Sequence, residues 1–139
     1  MPAISYETSE LLLKIAFLIG AITDLLAIFP MLSKRVGSYI FGSKSINKDV
    51  GYNYAMGLGA SLMAGWTALL FWGSIMPMQR RDLLIITVAP VILGIMISTI
   101  KAAKNKYLSK CRIIPLIIHL SLVSIYYIFA YISSMQFGN

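Results

Sequence analysis

The sequence predicts an all-α integral membrane protein, with four transmembrane helices in an antiparallel bundle and both termini outside. Three observations carry this expectation: an unusually apolar composition, four blocks long enough to cross a bilayer, and a one-sided distribution of Lys and Arg. Of the 139 residues 58% are hydrophobic and only 12% are charged, with a mean hydropathy of +0.79. A soluble domain carries about 25% charged residues, so this composition belongs to a chain whose solvent is largely lipid.

The four blocks run over about 11–32, 51–75, 83–100 and 113–132, and together they define one transmembrane domain over 1–139. At 1.5 Å rise per residue, about 17 to 25 helical residues cross a hydrocarbon core about 30 Å thick. No stretch alternates with period two for long enough to suggest a transmembrane barrel. The first block follows Glu7 and Glu10 rather than a basic flank and runs too long for a cleaved signal peptide, so it is expected to remain as the first helix.

Ser5 or Thr8 is placed to cap a lead-in to helix one, and Pro30 lies close to its far end, where its ring ends or bends the last turn. Loop one, about 33–50, contains the turn-rich GSYIFGSKSINKD, whose Tyr39, Ile40 and Phe41 suit an interface. Helix two has Gly57, Ser61, Ala64 or Gly65, and Ala68 at spacings of three to four residues. Such a small face reads as a helix-packing seam, or else as the wall of a cavity.

Trp72 suits an aromatic belt, whereas Trp66 is about 9 Å deeper and is a candidate for lining a pocket. The short link SIMPMQRRD makes helices two and three antiparallel neighbours, with Asp82 favouring the first turn of helix three. Pro90 predicts a kink or a freed carbonyl near the middle of that helix, and Pro115 is expected in the first turn of helix four.

Charge sets the orientation. The formal net charge is +7, but its distribution argues for topology rather than for a nucleic-acid partner. Loops one and three with their edges hold nine basic residues, from Lys34 and Arg35 to Lys110 and Arg112; the other side holds only Lys14, Arg80 and Arg81. Short Lys- and Arg-rich loops stay in the cytoplasm, so loops 33–50 and 101–112 are expected there, with the plasma membrane as the location. Membrane lipids are the expected surroundings, with the basic loops drawn to anionic headgroups.

Function is sought where polar groups interrupt the spans. An Asp at the middle of a span costs about 2.5 to 3.5 kcal/mol on the insertion scale, so it faces the bundle, water or a partner. Asp24, within GAITDLLAIFP, lies about 12 Å inward from Leu32, and His119 lies about 9 Å inward from Ile113 at the same face. Asp24, Ser61, Ser98 and His119 are therefore expected around a polar cavity, with Asn53 or Tyr54 at its mouth and Trp66 in its wall.

Three classes of function fit. The first is binding or transport of a small, amphipathic molecule, in a homo-oligomer. The second is a membrane enzyme acting on a lipid-like substrate with Asp24 and His119 as acid–base groups. The third is an accessory subunit whose Asp24 pairs with a partner membrane protein. No metal or other cofactor is expected, because a single His and a single Cys, Cys111, make neither a metal cluster nor a bis-histidine haem site. HExxH, GxSxG, the phosphate-binding loop, the dinucleotide fingerprint and CxxC are all missing, which removes the reactions that depend on them. The four spans and buried acid loosely resemble several groups of small four-helix membrane proteins, including sterol-isomerase-like and DoxX-like ones. That resemblance matches no motif residue by residue and carries no activity onto named positions.

Overall fold

A computed structural model describes residues 5–33, 35–37, 50–104 and 110–137. The expectations for Tyr39, Ile40 and Phe41 fall outside the described residues. Four long helices account for nearly all the rest: α1 (Tyr6–Leu32), α2 (Val50–Ile75), α3 (Asp82–Lys104) and α4 (Lys110–Met135). Each is long and apolar enough to cross a membrane, and the protein is a small all-α integral membrane protein with an antiparallel four-helix bundle.

Helix α1 starts where its cap dictates. Ser5 is extended at φ −69°, ψ 157°, and its hydroxyl accepts the backbone N–H of Thr8 at 3.2 Å, satisfying one of the donors a helix start leaves free. The helix then buries Ser9, Leu13, Ala16, Phe17, Gly20 and Ala21, a stripe at spacings of three and four that faces the bundle. Pro30 sits inside the last turn, and Ser33 ends the helix in extended conformation.

Two of the buried contacts depend on glycine. A methyl group at Gly20 would fall on the Tyr127 hydroxyl, and one at Gly73 would enter the Phe17 ring. These glycines let α1 approach α4 and α2 more closely than any side chain would permit. The pairings Phe17 with Gly73, Gly20 with Leu70 and Met31 with Gly59 also fix the antiparallel register of α1 against α2.

Around the bundle the order is α2, α1, α4, α3. Helix α1 packs along both α2 and α4, and α3 packs principally on α4. The short link does make α2 and α3 antiparallel, but their backbones diverge beyond it, and across this gap the Trp66 indole reaches Thr87. The closing side of the ring is thus its loosest.

The small face of α2, read as a helix-packing seam or a cavity wall, is turned away from the other helices of this bundle. Ser61, Ala64, Gly65 and Ala68 are exposed, and a methyl group at Gly57 or Gly65 would meet nothing within 4 Å. The inward side of α2 is instead Ala60, Trp66, Leu70, Gly73 and Ser74, so small residues at helical spacing did not reveal which side the neighbouring helices take.

Helix α3 resolves the Pro90 problem with a π-helical segment at Thr87–Ile92, between α-helical Asp82–Ile86 and Leu93–Lys104. Proline lacks the N–H for a regular i→i−4 bond and its ring crowds the carbonyl there; one wider turn accommodates both. The extra residue shows in the inward positions, which step from Thr87 to Ile92 rather than by three or four. Helix α4 begins at Lys110, earlier than the apolar block, so Pro115 lies in its second turn rather than its first. Its buried positions Ile113, Leu120, Tyr127 and Ser134 recur every seven residues, which is two helical turns.

Packing is closest at the end of the bundle that carries both termini and the α2–α3 link. There Ser9 donates to the Ser133 carbonyl at 3.2 Å, Tyr126 donates to the Leu12 carbonyl at 3.3 Å, and Tyr6 meets Phe137 edge-on at 5.6 Å. Arg81 donates to the Ser134 carbonyl at 2.7 Å, while Arg80 bonds to the Trp72 carbonyl and lies 3.4 Å over its ring. Both arginines therefore turn to the protein.

Candidate functional site

Asp24 continues the buried stripe of α1 by one turn beyond Gly20. It is half-buried, and its Oδ2 is fully buried with no hydrogen-bond partner. Among the described side chains it is the one buried polar atom left in that state. An unpaired acceptor at this depth is costly, and the buried hydroxyls of Ser9, Ser74, Thr87, Ser133 and Ser134 each reach a backbone carbonyl.

The surroundings follow from register. Because Gly20 lies against Leu70 and Met31 against Gly59, the antiparallel α1–α2 pair puts Asp24 level with Trp66. Trp66 is on the inward stripe of α2, packed against the core, and its Nε1 donates to Thr87 Oγ1 at 3.3 Å. Thr87 is buried and donates in turn to the Leu83 carbonyl at 2.7 Å. From α4, fully buried Tyr127 brings its hydroxyl to Gly20, one helical turn from Asp24.

Four helices thus contribute to one layer: Asp24 from α1, Trp66 from α2, Thr87 from α3 and Tyr127 from α4. The layer holds one unsatisfied acceptor, two large aromatic rings and one hydroxyl already engaged as donor and acceptor. It borders the loose α2–α3 side, which Trp66 and Thr87 bridge.

The other residues singled out from the sequence are distributed differently. Ser61 is exposed and returns its hydroxyl to the Gly57 carbonyl at 3.0 Å, and Asn53 and Tyr54 are exposed near the start of α2. His119 is also exposed, on the side of α4 next to the buried stripe. Ser98 lines an open groove of about 490 Å³ along α3, with Pro90, Gly94, Thr99 and Ala102 among its walls. A second, smaller cavity of about 170 Å³ lies at the terminal end, between Tyr6, Glu10 and Gln79. Neither of these two cavities includes Asp24 or His119.

Thr87 and Tyr127 enter the layer although depth counted from the sequence did not select them. Thr87 is three residues before Pro90, and the widened turn there is the signal that could have drawn attention to it. Tyr127 belongs to the seven-residue series of buried positions on α4, and its reach to Gly20 is a tertiary fact. Among the described residues no group of three His, Cys, Asp or Glu side chains could hold a metal ion.

Comparison with protein-family models, with curated proteins and with solved structures finds no match. The functional reading therefore rests on the geometry of this chain.

Proposed function

We propose that this protein binds a small, amphipathic molecule within the membrane, and moves it across, with Asp24 as the polar anchor of the site. The observation that carries the reading is the buried, unpartnered Oδ2 of Asp24 at a level where all four helices contribute a side chain. An intramembrane carboxylate retained without an internal partner suits a group that meets its partner only when ligand is present. The loose α2–α3 side supplies a route from lipid, which suits a molecule that partitions into the bilayer. In this reading the basic loops face the cytoplasm and the site opens from the plasma membrane.

The test is native mass spectrometry of protein purified in nanodiscs, comparing wild type with Asp24→Asn. Wild type should carry a bound small molecule or lipid that the variant loses, with oligomeric state and helix content unchanged. Identical bound species in both proteins would exclude Asp24 as the anchor.

The acid–base alternative requires Asp24 and His119 to approach one substrate atom to about 2.6 to 3.2 Å, directly or through one water. An exposed His119 and an inward Asp24 favour binding over that chemistry. A second reading, assembly with another copy or a partner membrane protein, is favoured by one observation: the small face of α2 is turned outward with open space over Gly57 and Gly65. Gly65→Leu should leave the monomer fold intact, and loss of a crosslinked dimer in that variant would support assembly through this face.

A further inference from the structure

We propose that the ligand of the Asp24 layer is a small organic monocation, held by the carboxylate and enclosed by the rings of Trp66 and Tyr127. This rests on the intramembrane binding site proposed above and names the chemistry that site selects. Asp24 offers a buried acceptor that nothing in the described structure satisfies, and the described basic side chains are engaged elsewhere or turned outward. Arg80 and Arg81 bond to carbonyls at the terminal end, while Lys14, Lys101, Lys104 and His119 are exposed. An anion would be repelled by the carboxylate and a neutral molecule would leave its ionised form unpaired, whereas a cation pairs with it.

The register places the Trp66 indole level with Asp24, and the Tyr127 hydroxyl lies against Gly20, one helical turn from Asp24. Aromatic faces attract cations through their negative quadrupole, Trp most strongly, and more so away from water. Trp66 has its N–H tied to Thr87, so the indole is held by one edge. Arg80 over Trp72 shows the same attraction at the surface of this very protein.

The donor set of the layer separates an organic cation from a metal ion. Hard cations such as Ca²⁺ need six to eight oxygen ligands, and Mg²⁺ needs an octahedron of them. This layer offers one carboxylate, a phenol, and a Thr87 hydroxyl already committed to Leu83 and Trp66. A charge that is spread over carbon and nitrogen, and that sheds its water easily, suits two aromatic rings and one carboxylate. The positive loops at one end of the bundle disfavour approach of a cation from that water, so entry runs from the bilayer past Trp66 and Thr87 on the α2–α3 side.

The experiment uses the full chain in nanodiscs with Trp72→Phe, which leaves Trp66 as the sole tryptophan of the two in the sequence. Its emission is titrated with benzyltrimethylammonium, with the neutral isostere neopentylbenzene, and with the anion benzenesulfonate. The cation should give a saturable change at concentrations about tenfold or more below those at which either other probe acts, the discrimination expected of a desolvated charge pair. Asp24→Asn should remove that preference, and Asp24→Glu should retain it. The comparison of three probes on the parent protein decides the question even if Asp24→Asn fails to fold. Equal saturable responses to all three would overturn the cation assignment while leaving a small-molecule site in place. The absence of a saturable response to any of them would overturn both.

Discussion

At the scale of single residues, the glycines of α1 and α2 divide into two kinds that composition does not distinguish. Gly20 and Gly73 sit where a methyl group would collide with Tyr127 and Phe17, whereas Gly57 and Gly65 face open space. Gly73→Ala should therefore destabilise the bundle by about 1 to 3 kcal/mol, the usual cost of overpacking, because the buried Phe17 ring must move. Gly65→Ala should change stability by about 0.5 kcal/mol or less. Reversible unfolding in mixed micelles measures both, and equal effects would contradict the packing described. Arg81 is a residue of similar consequence: Arg81→Met removes a charge-assisted bond to the Ser134 carbonyl, with an expected loss of about 1.5 to 3 kcal/mol in the same assay. Asp24 itself was conspicuous in the sequence as a charge in an apolar run, and its inward direction agrees with the alternation around it, since Leu25 and Phe29 are exposed. The partnerless state of one oxygen was not legible, because it depends on which side chains the other three helices bring to that level.

At the scale of elements, the π-helical segment of α3 links a sequence feature to the candidate site. Pro90 announced a disturbance near mid-span, expected as a kink or a freed carbonyl, and the structure accommodates it with a widened turn. The wide turn over Thr87–Ile92 leaves the Thr87 hydroxyl with two bonds, one to Leu83 and one from Trp66. Thr87→Val keeps the shape and removes the acceptor of the indole N–H, so the ¹⁵N–¹H resonance of the Trp66 side chain should shift while that of Trp72 stays in place. A shift of comparable size at Trp72 would mean that the substitution disturbs the whole helix rather than this bond. The four helices were readable from apolar length alone, with ends that differ by several residues because caps and polar flanks extend them past the hydrocarbon core: α1 begins at Tyr6 under the Ser5 cap, and α4 begins at Lys110.

At the scale of the whole molecule, one end of the bundle is closed by side chain to backbone bonds that cross between helices, and the α2–α3 side is its weak closure. Nitroxide labels should report this difference. A label at Ser61 should show high oxygen accessibility in a bilayer, as expected of a lipid-facing position, while one at Ser134 should show low accessibility because that site is fully buried. Similar accessibility at the two positions would contradict the arrangement. The proposed orientation has its own check in a Cys111→Ser background: Gln136→Cys should react with an impermeant maleimide in intact cells, and Lys104→Cys only after permeabilisation. The reverse pattern would place the basic loops outside.

The sequence by itself determined that this chain lives in a membrane, that four helices cross it, and that Asp24 is a charge the bilayer would not tolerate facing outward. Those follow from transfer energies and helix length, which are properties of local composition. Only the tertiary structure decided which side of α2 is internal, how Pro90 is accommodated, and which residues share the level of Asp24. Depth along a helix can be counted in a sequence, but rotation about its axis and register against its neighbours are set by contacts such as Gly20 with Tyr127 and Gly73 with Phe17. For that reason Trp66 was recognisable as a deep aromatic, while its company with Thr87, Tyr127 and the orphaned carboxylate oxygen emerged only when the helices were packed.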